Sequence, residues 1–319
     1  MSDTKDRFSG CIYGLAIGDA IGFPVEFLKL EQIKERFGPE GISALQQFHD
    51  YPFGAYSDDT QMTIAVANGL LESNNPDDLE DVMKHIADEF IEWCNSPENN
   101  RAPGETCCIG CENLERGGHW TESGVRDSKG CGAAMRSAPI GLFYNDVNKV
   151  VEVAAAVSAC THAHPTGIAS GIATAVLVHL AIRGYEPFDM PDKVCELTGK
   201  YDTKSELLQK MLQVREVLDE EPEQAIPKLG QGWTGEEAVA IAVYSFLKSP
   251  SDYRKTVLAA ANITGDSDST ACIAGAISGA YNGLRAIPEK WIREVENSGM
   301  LGKLAEKLYE KHRISKNKH

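Results

Sequence analysis

Asn262 to Leu284 reads NITGDSDSTACIAGAISGAYNGL, an acidic hydroxyl-rich turn running directly into a helical pattern of Ala, Gly and Ile. Asp266, Ser267, Asp268 and Ser269 stand where that helix begins. One carboxylate at a helix start caps free N–H groups and complements the positive end of the dipole. Two within three residues repel each other unless something cationic is shared between them. A hard divalent cation such as Mg2+, Mn2+ or Ca2+ takes oxygen ligands from Asp, Ser and Thr. The residues leave both readings open, a solvated cap or a cation site.

A second turn of the same design lies near the other end of the chain: Tyr56-Ser57-Asp58-Asp59-Thr60-Gln61, followed by MTIAVANGLL. Asp58 with Gln61 reads as a capping box. Small-residue faces let helices approach closely, so the two turns are expected to bring their helix starts together around one binuclear site.

The remaining pattern is helical almost throughout, with no sustained alternation that would mark strands. The spacing predicts helices over residues 9–21, 30–37, 79–94, 105–116, 131–143, 148–160, 165–183 and 201–220, with loop over 38–56 and 117–130. Thr234 and Glu237 form another expected capping box, Ser251 starts a further helix, and two short amphipathic helices close the chain. Without repeat, linker or composition break, residues 1–319 are expected to form a single all-α domain.

Composition narrows the function. A formal net charge of −16, from 31 Lys and Arg against 47 Asp and Glu, argues against nucleic acid or anionic membrane as partner, because both need clustered cations. The first ten residues lack the pattern of a secretory leader, and the longest apolar run noted, residues 168–182, is too short to span a bilayer. A soluble cytoplasmic protein is expected. Nine cysteines fit a reducing compartment, and Cys107, Cys108 and Cys111 read as free thiols, because no second pair follows at zinc spacing.

SDDTQM and GDSDSTACIAGAISGAYNG, with GLAIGDAIGFPVEF near the start, GCGAAMRSAPIGLF at 130–143, ACTHAHPTGIASGIATAV at 159–176 and GQGWTGEEAVAIAVYSFL at 230–247, resemble the ADP-ribosylglycohydrolase family. The resemblance covers nearly the whole chain. It implies a compact orthogonal multi-helix bundle and a metal-dependent hydrolase that cleaves ADP-ribose from an acceptor, with arginine on protein as the first expectation. Alternatives are an ADP-ribosyl-serine or O-acetyl-ADP-ribose hydrolase, a non-catalytic ADP-ribose binder, or an immunity protein facing a cognate ADP-ribosyltransferase. The resemblance further implies two divalent cations, Mg2+ or Mn2+, held by Ser57, Asp58, Asp59, Asp266, Asp268 and Ser269. Glu26 and Asp59 are the implied catalytic residues. Ser128, Lys129, Gly130, Cys131 and Gly132 would cradle the diphosphate through free N–H groups at a helix start, and His162, with His164 beside it, and Trp233 would contact substrate. Asp19 is expected to make a structural hydrogen bond.

Overall fold

The computed structural model describes residues 3–316. The chain folds into α1 (Thr4–Gly22), α2 (Leu30–Phe37), α3 (Asp58–Glu72), α4 (Leu79–Asn95), α5 (Glu105–Glu115), α6 (Ala138–Phe143), α7 (Val147–Ala159), α8 (Pro165–Ala181), α9 (Met190–Thr198), α10 (Glu206–Val217), α11 (Pro222–Leu229), α12 (Gly235–Lys248), α13 (Tyr253–Ala261), α14 (Ser267–Asn282), α15 (Glu289–Glu294) and α16 (Ser298–Lys316). No strand occurs among the described residues, only two isolated bridges, Val125 with His162 and Gly130 with Thr234. The expected all-α multi-helix bundle is what forms.

Segments far apart in sequence are joined by α1 and α14. Gly10, Gly14, Gly18 and Gly22 recur at every fourth residue of α1, which places them on one face. A Cβ at these positions would stand 2.3, 2.4, 2.1 and 2.4 Å from the carbonyl oxygens of Gly279, Gly275, Ala271 and Ser267 in turn. The order is reversed, so the helices are antiparallel. The fit is mutual, since a Cβ at Gly275 would lie 2.1 Å from the Gly14 oxygen and one at Gly279 would lie 2.0 Å from the Gly10 oxygen. Only glycine permits this backbone-to-backbone approach. The end of α1 therefore abuts the start of α14.

This corrects the pairing expected from sequence. The small face of α14 is taken by α1, not by the helix behind the first acidic turn, whose Gly69 packs instead against the Ile86 backbone of α4. The first turn is attached to α1 by hydrogen bonds. The buried carboxylate of Asp19 accepts from the N–H of Ser57 (2.8 Å), the N–H of Thr60 (3.0 Å) and the hydroxyl of Thr60 (2.5 Å). Asp19 has the structural role expected of it, and α1 braces both acidic turns.

Several local readings change. The cap of α3 is Ser57, whose Oγ accepts the Asp59 N–H at 3.2 Å. Asp58 is already inside the helix, and Gln61 turns away to Glu98 and Trp93. The second capping box is also absent. Glu237 accepts from the N–H groups of Gln231 and Gly232, while the buried Thr234 hydroxyl has no partner. Residues 131–143 split into a 3-10 turn, Cys131–Ala133, and α6. The expected 201–220 helix starts only at Glu206, after Ser205 in left-handed backbone. The last helix has 19 residues and is not short; of the basic tail, residues 317–319 lie outside the described residues. All nine cysteines are free. Thr4–Val25 is long and apolar enough to cross a bilayer, a span the sequence reading passed over, yet 94% of its apolar window is buried inside the protein.

The α1–α14 contact sets an expectation for stability. Gly18→Ala forces a methyl against a carbonyl oxygen and should cost about 3 kcal/mol or more. Gly299→Ala, where a Cβ meets nothing within 4 Å, should be neutral or stabilising by up to about 1 kcal/mol. Urea unfolding of both variants measures the difference; equal midpoints would refute the close-packing account.

Candidate active site

A cleft of about 340 Å³ opens where the two acidic turns meet, lined among others by Glu26, Asp58, Asp59, Glu105, Asp266 and Asp268. Glu26 reaches it because the chain leaving α1 makes one 3-10 turn, Phe23–Val25, and emerges beside the start of α14. Three hydrogen bonds fix the two segments together. The Phe27 N–H donates to the Gly265 carbonyl (3.4 Å), the Leu30 N–H to Thr264 Oγ1 (3.0 Å) and the Ile42 N–H to Asn262 Oδ1 (2.8 Å).

Six carboxylates converge here, and no lysine or arginine lines the cleft. One oxygen each of Glu26, Asp266 and Asp268 falls within 4.8 Å of the others. Burial first, then the charges of Asp268, Asp266 and Asp58, pushes Glu26 up to about 11. Asp58, Asp59 and Asp268 are held well above the usual carboxylate range, chiefly by burial, and Asp266 is raised for the same reason. Carboxylates this close coexist only by sharing a proton or a cation. Oδ2 of Asp59 is buried with no hydrogen-bond partner, and a carboxylate oxygen left bare in a buried position is costly. Oxygen donors at this density, one of them unpartnered, fit a hard divalent cation.

The structure brings together most of the residues singled out in the sequence. Glu26, Asp58, Asp59, Gly130, Cys131, Gly132, His162, Trp233, Asp266, Asp268 and Ser269 all line the cleft; Ser57, Ser128 and Lys129 do not. Ser57 is fully buried as the cap of α3. The Lys129 ammonium is paired with Glu236 at 2.7 Å and Glu206 at 3.2 Å. The Cys131 N–H, expected to be open to an anion, donates to the Trp233 carbonyl at 3.3 Å. The Cys131 thiol meanwhile donates to Asp266 Oδ2 at 2.8 Å. His164 caps α8, accepting the Thr166 N–H. Trp233 stacks on the exposed ring of Phe27, with centroids 5.3 Å apart.

Sequence reading missed Phe27, Glu105, Cys107 and Met135, which also line the cleft. Phe27 directly follows Glu26 and has positive φ, 66°, a backbone state with no signature in an aromatic residue. The glycine repeat at 10, 14, 18 and 22 was readable and could have placed Glu26 against the second acidic turn.

The ADP-ribosylglycohydrolase family model matches residues 1–317. The chain is 36% identical over 311 residues to an uncharacterized protein of Archaeoglobus fulgidus, covering 97% of each. It is 28% identical to the ADP-ribosylhydrolase ARH3 of Mus musculus, covering 95% of this chain and 91% of that one. It is 26% identical to the ADP-ribosylarginine hydrolase Tri1 of Serratia proteamaculans, covering 97% and 80%. A solved structure described as an ADP-ribosylglycohydrolase-related protein complex superposes with TM-score 0.77 at 26% identity, over 98% of this chain and 100% of the other.

The brace between α1 and the first acidic turn can be tested without substrate. Asp19→Asn places an amide where three donors converge, so one donor at least loses its acceptor. Stability should fall by about 2 kcal/mol. Thermal or urea unfolding checks this, and an unchanged midpoint would remove Asp19 from the brace.

Proposed function

The chain belongs to the ADP-ribosylglycohydrolase family, and from that premise we propose that this hydrolase cleaves the bond between the anomeric carbon of ADP-ribose and the guanidino nitrogen of an arginine on a modified protein, with two divalent cations, Mg2+ or Mn2+. The observation that carries the reading is the six-carboxylate cleft without lysine or arginine. A diphosphate would be repelled from it unless cations stood between. A cationic guanidino leaving group, by contrast, complements the acidic mouth in a way that a neutral serine acceptor does not. The identity with Tri1, a protein named as an ADP-ribosylarginine hydrolase, points the same way.

Asp58, Asp59, Asp266 and Asp268 would hold the cations, with Ser269 beside them and Ser57 behind Asp59. Bound there, the cations would supply Lewis acidity and orientation of ribose hydroxyls. Glu26 lines the cleft beside Asp268 with its proton affinity raised by burial, and there it can give a proton to the departing nitrogen when protonated or take one from the attacking water when ionised. The transition state is oxocarbenium-like, so charge develops on the sugar next to these carboxylates and is stabilised by them. Trp233 and Phe27 offer a flat apolar surface at the rim, and Gly130 and Gly132 keep the wall low. The chain would act as a single domain, with cleft residues drawn from positions between Glu26 and Ser269.

Release of ADP-ribose from an ADP-ribosyl-arginine protein and from an ADP-ribosyl-serine peptide, each with Mg2+, Mn2+ or chelator, tests the activity. Cation-dependent release from the arginine substrate is expected; release from the serine peptide alone would refute the acceptor. Glu26→Gln should keep cation binding and lower kcat about 10²- to 10⁴-fold, whereas Asp268→Ala should abolish cation binding and turnover with the helical fold intact.

Calorimetry gives an independent check. Burial and mutual repulsion raise the proton affinity of the cleft carboxyls, and a bound cation lowers it again, so cation binding should release whatever protons they hold. Titrations of Mn2+ in buffers of differing ionisation heat should show net proton release at pH 7, and proton uptake would contradict the ligand set.

A further inference from the structure

Arg136 is fully buried and makes no ion pair among the described residues. Its guanidinium lies 4.6 Å from the Phe90 ring centre. One terminal nitrogen, Nη2, donates to the Val157 carbonyl at 3.0 Å and to Thr161 Oγ1 at 2.5 Å. Thr161 Oγ1 is in turn 2.8 Å from His162 Nδ1. An arginine can only donate, so one lone pair of the threonine oxygen is committed. The threonine proton must go elsewhere, and Nδ1 is the one acceptor the hydroxyl reaches among the described residues. If Nδ1 carried its own proton, a buried hydroxyl would be left with no acceptor, which is costly.

We infer that Arg136 and Thr161 are positioning residues that lock His162 in the Nε2–H tautomer, so that it faces the cleft as a neutral hydrogen-bond donor. The backbone supports a fixed ring. The His162 N–H donates to the Ser158 carbonyl at 2.8 Å, and the Val125 N–H donates to the Thr161 carbonyl at 2.8 Å. Three glycines box the side chain. A Cβ at Gly130 would lie 3.2 Å from Nε2, one at Gly132 2.7 Å from Cε1, and one at Gly167 3.3 Å from the His162 Cβ. Burial, followed by the Arg136 charge, pushes the imidazole down to about 3. The doubly protonated form is thus also disfavoured.

Resting on the proposed ADP-ribose site, the consequence is specific. With Lys129 paired away and no cationic side chain in the cleft, the Nε2–H of His162 offers a donor to a phosphate or ribose oxygen without adding a base that would compete with Glu26. The expected cost of losing one such hydrogen bond is about tenfold in affinity.

The test uses the full chain labelled with 15N-histidine and long-range proton–nitrogen NMR at neutral pH, without ligand. The eight histidines are resolved by loss of one signal in His162→Gln. We expect an unprotonated Nδ1 and a protonated Nε2 in the wild type, a mixture of tautomers in Thr161→Val, and the wild-type pattern restored in Thr161→Ser. ADP-ribose affinity should weaken about tenfold in the valine variant and stay within about twofold in the serine variant. A wild-type ring protonated at Nδ1 overturns the inference, even if Thr161→Val fails to fold. So does a folded valine variant with unchanged tautomer. A locked Nε2–H ring in a protein that does not bind ADP-ribose supports the lock and overturns the reading of the cleft.

Discussion

The backbone contact between α1 and α14 is the constraint on which the rest of the molecule depends. Four glycines on one helix meet the carbonyl oxygens of four residues on the other, a separation at which dispersion and Cα–H···O contacts replace side-chain packing. Such an interface has little tolerance for slippage. A shift of one residue would place Ile or Leu against backbone. Register is therefore set from Gly10 to Gly22, and with it the height at which Glu26 leaves the helix and meets Asp268.

The same helix handles an electrostatic problem. Both acidic turns sit at helix starts, where partial positive charge from unpaired N–H groups favours carboxylates, and Ser57 and Asp266 are the caps. Two helix ends aimed at one cleft offset part of the repulsion among the buried acids, though not all of it, as the raised proton affinities show. Asp19 adds to the charge from behind, held up to about 7 by burial and by Asp268 against the pull of Thr60 and Ser57. The fold accepts strain at this point that a purely structural bundle would have no reason to keep.

How much of this was legible depended on whether the information was local. The two turns, their small-residue helices and the all-α class follow from spacing within a few residues, and Asp58, Asp59, Asp266 and Asp268 stand where that spacing placed them. Partners in space were harder to read. The box expected at Asp58 and Gln61 failed because Ser57, one residue earlier, fits the cap and frees Gln61 for Glu98 and Trp93. Lys129 and the Cys131 N–H looked available because their partners, Glu236 and the Trp233 carbonyl, are about a hundred residues away in sequence. Nothing near Arg136 in the chain signals that it is buried among neutral acceptors.

The pairing of α1 with α14 also bears on how the chain can acquire its shape. α1 and its partner lie about 250 residues apart in sequence, so the contact closes a very long loop. Such distant pairings form slowly and late. Until then, a row of apolar residues and the bare carbonyl face of α1 stay uncovered, an invitation to self-association or to chaperones. Glu26 comes from the α1 side of that contact and Asp266 and Asp268 from the α14 side, so the cleft is complete only once the two helices have met.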